Sequence, residues 1–359
     1  MDLLEYYQAH PPVNDHFVLR KTALPQEGDL NLYGARGCGK TALILDYLSQ
    51  QDEQTLYIDL EDPNLILKTL DTLPLQAFIE EYGITELILD HYETGMLEEF
   101  PKVGRLILLS RTPVNMPRFA PVQLFPLDYE EFLAFEHGSS ATIAFNHFLK
   151  AGTLPAMAKH TKSTTLLMKQ FFQQQFSPNE QSLILILARY NTQPMTIHQI
   201  YSFTKEYFRI SKDFVYSSMK RFQEEGLVYF IDNVIGRSGK KMILYDFAFV
   251  KYLTAHQPFG NQFDSMIALT LVKHGVDFRT LGVHGYLTDE NELIIPAPFE
   301  GEDGFWVKAQ KKFSLYKKHG VDKITVVTVA NSYQFNIEKL HFEALPFHEW
   351  SIAHAERED

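Results

Sequence analysis

Residues 30–48 read LNLYGARGCGKTALILDYL, and no other stretch restricts the fold of this chain so tightly. Its core, Gly34 through Thr41, fits the phosphate-loop pattern G-x-x-x-x-G-K-[ST]. Glycines let such a loop curl until its backbone N–H groups converge on phosphate oxygens. Lys40 adds a point charge at the β- and γ-phosphates. Thr41 offers a hydroxyl to Mg²⁺ and opens a helix whose positive end faces the anion. The apolar run Leu30–Tyr33 reads as a strand before the loop, and Ala42–Leu48 as a helix after it. The expected nucleotide contacts are Gly34, Ala35, Arg36, Gly37, Cys38, Gly39, Lys40, Thr41 and Ala42. Cys38 reads first as a small residue that the loop tolerates. A sharper expectation is that an adduct on its thiol fills phosphate space, so that bound ATP protects it.

A strand–loop–helix of this kind needs a parallel sheet around it, and 359 residues leave room for two or three domains. With 45% apolar and 22% charged residues interspersed, the composition is globular. The single cysteine excludes an intramolecular disulfide framework and a cysteine-based zinc site. No apolar run is long enough to span a bilayer, and the N-terminus lacks a signal peptide's basic-then-apolar layout, so a soluble cytoplasmic protein is expected. The net charge of -12 argues against a chain that coats nucleic acid along its whole surface. Residues 1–177 carry 13 Lys and Arg against 23 Asp and Glu, residues 251–359 carry 11 against 15, and residues 178–250 carry 9 against 7. Any nucleic-acid contact is therefore sought in the middle segment.

Two apolar runs end in an acid that can hold the metal, Leu56-Tyr-Ile-Asp59 and Leu87-Ile-Leu-Asp90. The first follows the loop helix directly; the second comes after a helical stretch, Pro63–Tyr82. The second is preferred as the metal strand, placed beside the phosphate-loop strand, which makes Thr41 and Asp90 the Mg²⁺ ligands. Asp59, Glu61 and Asp62 then cap a strand end or face solvent. A further strand, Val103–Ser110, ends in a hydroxyl suited to the γ-phosphate or the attacking water. Arg111 and Arg118 are candidates to neutralise transferred charge, within the chain or across an interface.

Several phrases beyond the loop are distinctive: Arg36 in its third position, Leu56-Tyr-Ile-Asp-Leu-Glu-Asp-Pro63, Leu87-Ile-Leu-Asp90, Leu109-Ser-Arg-Thr112, Phe125-Pro-Leu-Asp-Tyr-Glu-Glu-Phe-Leu133, Phe148-Leu-Lys-Ala-Gly-Thr-Leu-Pro155 and Lys241-Met-Ile-Leu-Tyr-Asp-Phe247. On these the chain resembles a family of bacterial and archaeal AAA-type ATPases with a C-terminal winged helix and a restriction-endonuclease-like domain. The resemblance covers most of the chain and is weakest over the last hundred residues. ATP and Mg²⁺ are expected between the loop domain and a helical lid, with Lys40, Asp90, His91, Ser110 and Arg118 as the candidate catalytic set. One departure stands at its centre. The family has a glutamate after the metal aspartate, to orient the attacking water, and here that residue is His91, with Glu93 two positions on. A histidine orients water less reliably than a carboxylate. Binding is therefore expected to be intact, and hydrolysis slow or dependent on a partner.

Ser177-Pro-Asn-Glu180 opens a helix with capping-box character that runs to Tyr190, followed by helices over Thr196–Phe203 and Lys212–Glu225 and strands over Leu227–Asp232 and Lys241–Asp246. Three helices and a hairpin are the order of a winged helix. Val215, Met219 and Phe222 form an apolar stripe on the third helix, whose other face carries Lys220 and Arg221. The hairpin tip carries Arg237, Lys240 and Lys241, and these five residues are the candidate contacts to double-stranded DNA; a protein partner is the alternative. Toward the C-terminus, a helix over Phe263–His274, strands at Gly285–Leu287, Glu292–Pro296 and Gly304–Val307, a helix over Gln310–His319 and a strand over Lys323–Val329 suit the nuclease-like fold. Trp306 and Pro296 stand where its metal acids are expected, beside Lys308, so no nuclease activity is expected.

The sequence thus predicts an α/β P-loop AAA-type ATPase core over 1–125, a helical lid over 126–176, a winged helix over 177–250 and a degenerate nuclease-like α/β domain over 251–359. The predicted protein is a nucleotide-driven switch on DNA or a protein partner; the alternative is a non-hydrolysing nucleotide sensor or scaffold. No Asn-Lys-x-Asp guanine motif is present, so ATP is expected rather than GTP.

Overall fold

The computed structural model describes residues 3–13, 18–51, 54–67, 70–136, 139–160, 162–236, 239–254 and 258–355. They pack as two compact units, Met1–Pro126 with Arg221–Leu227, and Leu127–Lys220 with Val228–Asp359.

The first unit runs α1 (Leu3–Ala9), β1 (Asp29–Tyr33), α2 (Lys40–Leu48), β2 (Thr55–Asp59), α3 (Asn64–Leu67), α4 (Thr72–Tyr82), β3 (Glu86–Tyr92), β4 (Arg105–Ser110) and β5 (Phe119–Gln123). The strands form one parallel sheet in the order β2-β3-β4-β1-β5. A parallel sheet covered on both faces needs apolar residues on both. Leu87 and Leu89 point to one buried cluster with Leu56, Ile58, Leu106 and Leu108. Ile88 points to the other, with Leu30, Leu32, Ile44, Ile107 and Leu109. The order corrects one expectation: β3 is not beside β1, because β4 lies between them. Parallel neighbours are joined by crossovers, so their order is not a local property of the sequence. Asn31, fully buried in β1, joins the two inner strands: its amide nitrogen donates to the Leu108 carbonyl (3.2 Å) and the Ser110 hydroxyl (2.8 Å), and its oxygen accepts from the Val114 N–H (2.8 Å).

The second unit begins with helices, α5 (Tyr129–Leu133), α6 (Ala141–Ala151), α7 (Pro155–Lys159) and α8 (Thr164–Gln175). It continues with α9 (Pro178–Arg189), β6 (Pro194–Met195), α10 (Ile197–Tyr207), α11 (Lys212–Glu224), β7 (Val228–Ile231), β8 (Lys240–Leu244) and α12 (Phe247–Leu253). The three strands pair in the order β6-β8-β7. Ser177 and Glu180 form the anticipated capping box, and Val215, Met219 and Phe222 are fully buried. The end of α11, from Arg221, belongs to the first unit.

Two of the distinctive phrases are structural. Asp128 caps α5 in a reciprocal box with Glu131, and Lys273 closes on both carboxylates. Asp246, fully buried, accepts from the Thr153 N–H (2.5 Å), the Thr153 hydroxyl (2.6 Å) and the Phe249 N–H (2.5 Å). It therefore begins α12 instead of ending a strand, and ties the Gly152-Thr153 turn to it. Tyr129, Phe148, Phe247 and Phe347 stack into one aromatic core around these caps, with ring centroids 5.1–6.1 Å apart.

The remainder is α13 (Phe259–Lys273), β9 (Phe278–Thr280), β10 (Tyr286–Thr288), β11 (Glu292–Pro296), α14 (Glu302–Lys318), β12 (Lys323–Thr328), β13 (Tyr333–Ile337), β14 (Leu340–Pro346) and α15 (Phe347–Ala355). Its sheet runs β13-β14-β12-β11-β10-β9, with β9, β10 and β11 antiparallel and β11, β12 and β14 parallel. The strand expected at Gly304–Val307 is instead the start of α14. Gly301 caps it, and Glu302 and Asp303 in its first turn favour the positive end of the helix. Trp306 and Lys308 therefore lie on a helix, with Lys308 paired to Glu300, and are not strand neighbours of Pro296. Among the described residues no helix is long and apolar enough to cross a membrane.

Candidate nucleotide site

The loop after β1 has the backbone its glycines permit. Gly34, Gly37 and Gly39 have φ of 150°, 78° and 99°, and a Cβ at Gly34 would collide with the Leu124 carbonyl oxygen. The Lys40 ammonium donates to the carbonyls of Gly34 (2.8 Å) and Ala35 (3.2 Å), and so lies across the loop. Arg20, which the sequence did not single out, donates to the carbonyls of Cys38 (2.8 Å) and Phe125 (2.7 Å). Cys38 is 0% exposed and packs beneath the loop with Leu30, Ile44 and Leu124. Its sulfur lies 4.0 Å from the Lys40 ammonium.

Asp90 is buried at the end of β3 and accepts from Thr41 (2.7 Å) and from the Tyr57 hydroxyl (2.9 Å) on the same oxygen. Burial raises the Tyr57 pKa and the Asp90 charge adds to that, so the phenol remains a donor. A hydroxyl and a carboxylate side by side, below a loop with no room for a Cβ, are the hard oxygen donors that suit Mg²⁺ held together with phosphate. Asp59, the alternative metal acid, is used otherwise.

β3 shifts register after Leu89, and His91 takes a left-handed backbone with φ 57°. That conformation costs a non-glycine residue about 1–2 kcal/mol. The His91 N–H donates to Asp90 (2.7 Å), and the ring turns toward β2, where Nδ1 lies 2.7 Å from Asp59. Nε2 is 3.9 Å from Glu61. The Asp59 hydrogen bond raises the His91 pKa, burial opposes it, and the charges of Asp90, Asp59 and Glu61 reinforce it. Burial pushes the Asp59 carboxyl up, but hydrogen bonds from His91 and the Glu61 N–H outweigh it and leave the pKa lowered. Arg111, at the same edge of the sheet, bridges Glu61 (2.9 Å) and Glu93 (3.4 Å), which occupies Glu93 elsewhere than at His91.

The other candidates separate. Ser110 is buried, donates to the Thr112 carbonyl (2.6 Å) and accepts from Asn31, so its hydroxyl is committed to the sheet. Arg118 pairs with Asp29 at the start of β1, the edge of the sheet opposite the loop, because β5 begins there. Within the chain it does not reach phosphate, which removes it from the catalytic set in cis. Arg36 pairs with Glu225 (3.3 Å), and both side chains are buried. Burial raises the Glu225 pKa more than Arg36 and Arg221 lower it. Glu225 was not anticipated, since nothing in the sequence links it to a loop almost 190 positions earlier.

The basic residues proposed for DNA are largely engaged. Lys240 pairs with Asp232 (3.0 Å), and Lys241 pairs with Asp264 (2.5 Å) over the Tyr286 ring. Arg221 lies 3.6 Å from Glu225, Lys220 is exposed on α11, and Arg237 falls outside the described residues. The half-buried Lys241 faces inward, which corrects its reading as a phosphate contact.

A family model described as an AAA domain matches residues 28–96, from β1 through β3. Two solved structures are similar at low identity. A Walker-type ATPase of Pyrococcus abyssi is 12% identical with a TM-score of 0.40, covering 64% of this chain and 91% of its own. The ORC1 protein of Aeropyrum pernix, solved in complex with DNA, is 13% identical with a TM-score of 0.28, covering 64% of this chain and 87% of its own. Among curated proteins none matches. The family match and the five-stranded parallel sheet agree on a P-loop fold of the AAA-ATPase type for the first unit.

Proposed function

We propose that this chain is an ATP-binding switch whose hydrolysis is slow or needs a partner. The observation that carries the reading is the Thr41–Asp90 contact of 2.7 Å beneath the glycine cradle, the arrangement that binds Mg²⁺ and triphosphate together. Mg²⁺, when bound, would supply positive charge that offsets the phosphates. Lys40 leaves the Gly34 and Ala35 carbonyls for the β- and γ-phosphates, Thr41 and Asp90 hold the ion, and Arg111 supplies positive charge at the same edge.

The chain's middle and C-terminal parts are read as the sensing end of the switch. The helical run α5–α8 supports a lid. Helices α9, α10 and α11 followed by the β7–β8 hairpin support a winged helix, and the order α13-β9-β10-β11-α14-β12 supports a nuclease-like fold. The engaged state of Lys240 and Lys241 favours a protein partner over DNA. His91 in the glutamate position favours a second reading, a sensor that holds ATP without turning it over. Phosphate release measured with and without duplex DNA, beside Lys40→Ala and His91→Glu, separates these. Turnover abolished by Lys40→Ala makes the site catalytic, and stimulation by DNA makes DNA the partner. ATP bound but released only by His91→Glu makes the protein a sensor. Failure of the wild type to bind ATP refutes the proposal.

A further inference from the structure

We infer that the end of α11 belongs to the nucleotide site: Glu225 is a positioning residue that holds Arg36, and through it the first half of the phosphate loop, in shape for triphosphate; this rests on the ATP-binding reading of the site. Glu225 is itself firmly placed. Gly226 follows it with φ 74° and donates to the Gln223 carbonyl (3.1 Å), and the Leu227 N–H donates to the Phe222 carbonyl (2.8 Å). These two bonds close a helix end, with Phe222 and Leu227 both buried. A helix C-terminus is the negative end of the dipole, so a carboxylate is disfavoured there. A buried one needs cations, and Arg36 (3.3 Å) and Arg221 (3.6 Å) approach the same oxygen. The charge of Arg111, just after β4, acts on it too.

Arg36 lies between Gly34 and Gly37, at φ of 150° and 78°, and glycines give a loop freedom that must be lost before it can cradle phosphate. A loop ordered beforehand spends less of its binding energy on that step. The Lys40 ammonium ties the first half of the loop through the Gly34 and Ala35 carbonyls, and in the proposed function it leaves them for the phosphates. Arg20 on the Cys38 carbonyl then holds the second half of the loop, and Arg36 on Glu225 holds the first. Phosphate does not compete for that tie, because both of its side chains are buried. Coupling of this kind is reciprocal: if the pair favours triphosphate, bound triphosphate favours the closed end of α11.

The test is titration calorimetry of the full chain with Mg²⁺ and a non-hydrolysable ATP analogue, for wild type, Arg36→Ala, Glu225→Ala, Glu225→Gln and the double alanine variant. Each single alanine variant is expected to raise Kd by about tenfold or more, within the usual range of coupling between sites. Glu225→Gln keeps an acceptor for Arg36 and should recover most of that loss, to within about threefold of wild type. The double variant should be no more than about threefold weaker than either single one, because the two residues act as a unit. Amide hydrogen exchange at Gly226 and Leu227 is read beside these. Saturation with the analogue should slow it about tenfold or more in wild type and less than about twofold in Arg36→Ala. A pair that only stabilises the fold would lower the melting temperature and move neither readout. Wild-type affinity in Glu225→Ala, additive losses in the double variant, or wild-type exchange that ignores the analogue overturns the inference. The wild-type exchange decides it even where a variant fails to fold. Failure of the wild type to bind the analogue instead refutes the reading of the site itself.

Discussion

Glu225 offers a direct measure of what a buried charge does beneath a phosphate loop. Its side chain is 0% exposed and that of Arg36 3%, at 3.3 Å, with Arg221 at 3.6 Å from the same oxygen. Removing one partner of such a pair takes from the other a charge that offset it, at a cost of about 3–5 kcal/mol. In Glu225→Ala the exposed Arg221 loses little, so the lower end applies. At about 3 °C per kcal/mol for a domain of this size, the first unit should melt roughly 10 °C lower. Glu225→Gln keeps the shape and an acceptor oxygen for Arg36, and should lose no more than about 1 kcal/mol at neutral pH. The pH dependence has a definite sign. Because burial leaves the folded pKa of Glu225 above its unfolded value, its contribution is present below the unfolded value and is lost as pH rises through the folded one. The melting temperature of the wild type relative to Glu225→Gln should therefore fall as pH is raised across that window, then level off. Calorimetry of the three proteins over that range is the assay. A Glu225→Ala protein melting within about 2 °C of wild type, or a Glu225→Gln protein falling as far as the alanine variant, would refute the reasoning.

Other outcomes follow from single contacts. Gly34→Ala places a methyl group against the Leu124 carbonyl at φ 150°, and should abolish ATP binding by titration calorimetry while the protein remains folded by circular dichroism. Asp246→Ala strands the donors of Thr153 and Phe249, each worth about 1–3 kcal/mol when buried unpaired, and should open the second unit to limited proteolysis. Cys38 should react with thiol reagents in the native protein only slowly, at equal rates with and without ATP, because its side chain is wholly buried.

What could be read ahead of the structure was local chemistry. The phosphate loop was legible because each residue type is dictated by an anion and a tight turn. The Ser177–Glu180 box was legible because both partners lie within one helical turn. The strand order was not, since nothing in β3 or β4 states which one neighbours β1. The run Phe305-Trp306-Val307 resembles a strand, and the helix that contains it is set by Gly301 and the acids after it, whose effect is felt along all of α14. Asp59 and His91 were each visible, but their pairing depends on a positive φ that a histidine does not announce. Glu225 and Arg36 meet only in the folded chain.

The separation of contacting residues also sets a schedule for synthesis. The first unit needs residues 221–227, so the loop at 34–41 waits for nearly a hundred further residues after Pro126 before its arginine finds Glu225. The aromatic core around Tyr129 and Phe148 waits longer, for Phe247 and then Phe347. Long-range closure of this kind slows folding and leaves apolar surface open while the chain emerges. Nascent chains stopped before residue 347 should therefore recruit chaperones, and a loop domain cut at Pro126 should emerge with Arg36 exposed to solvent.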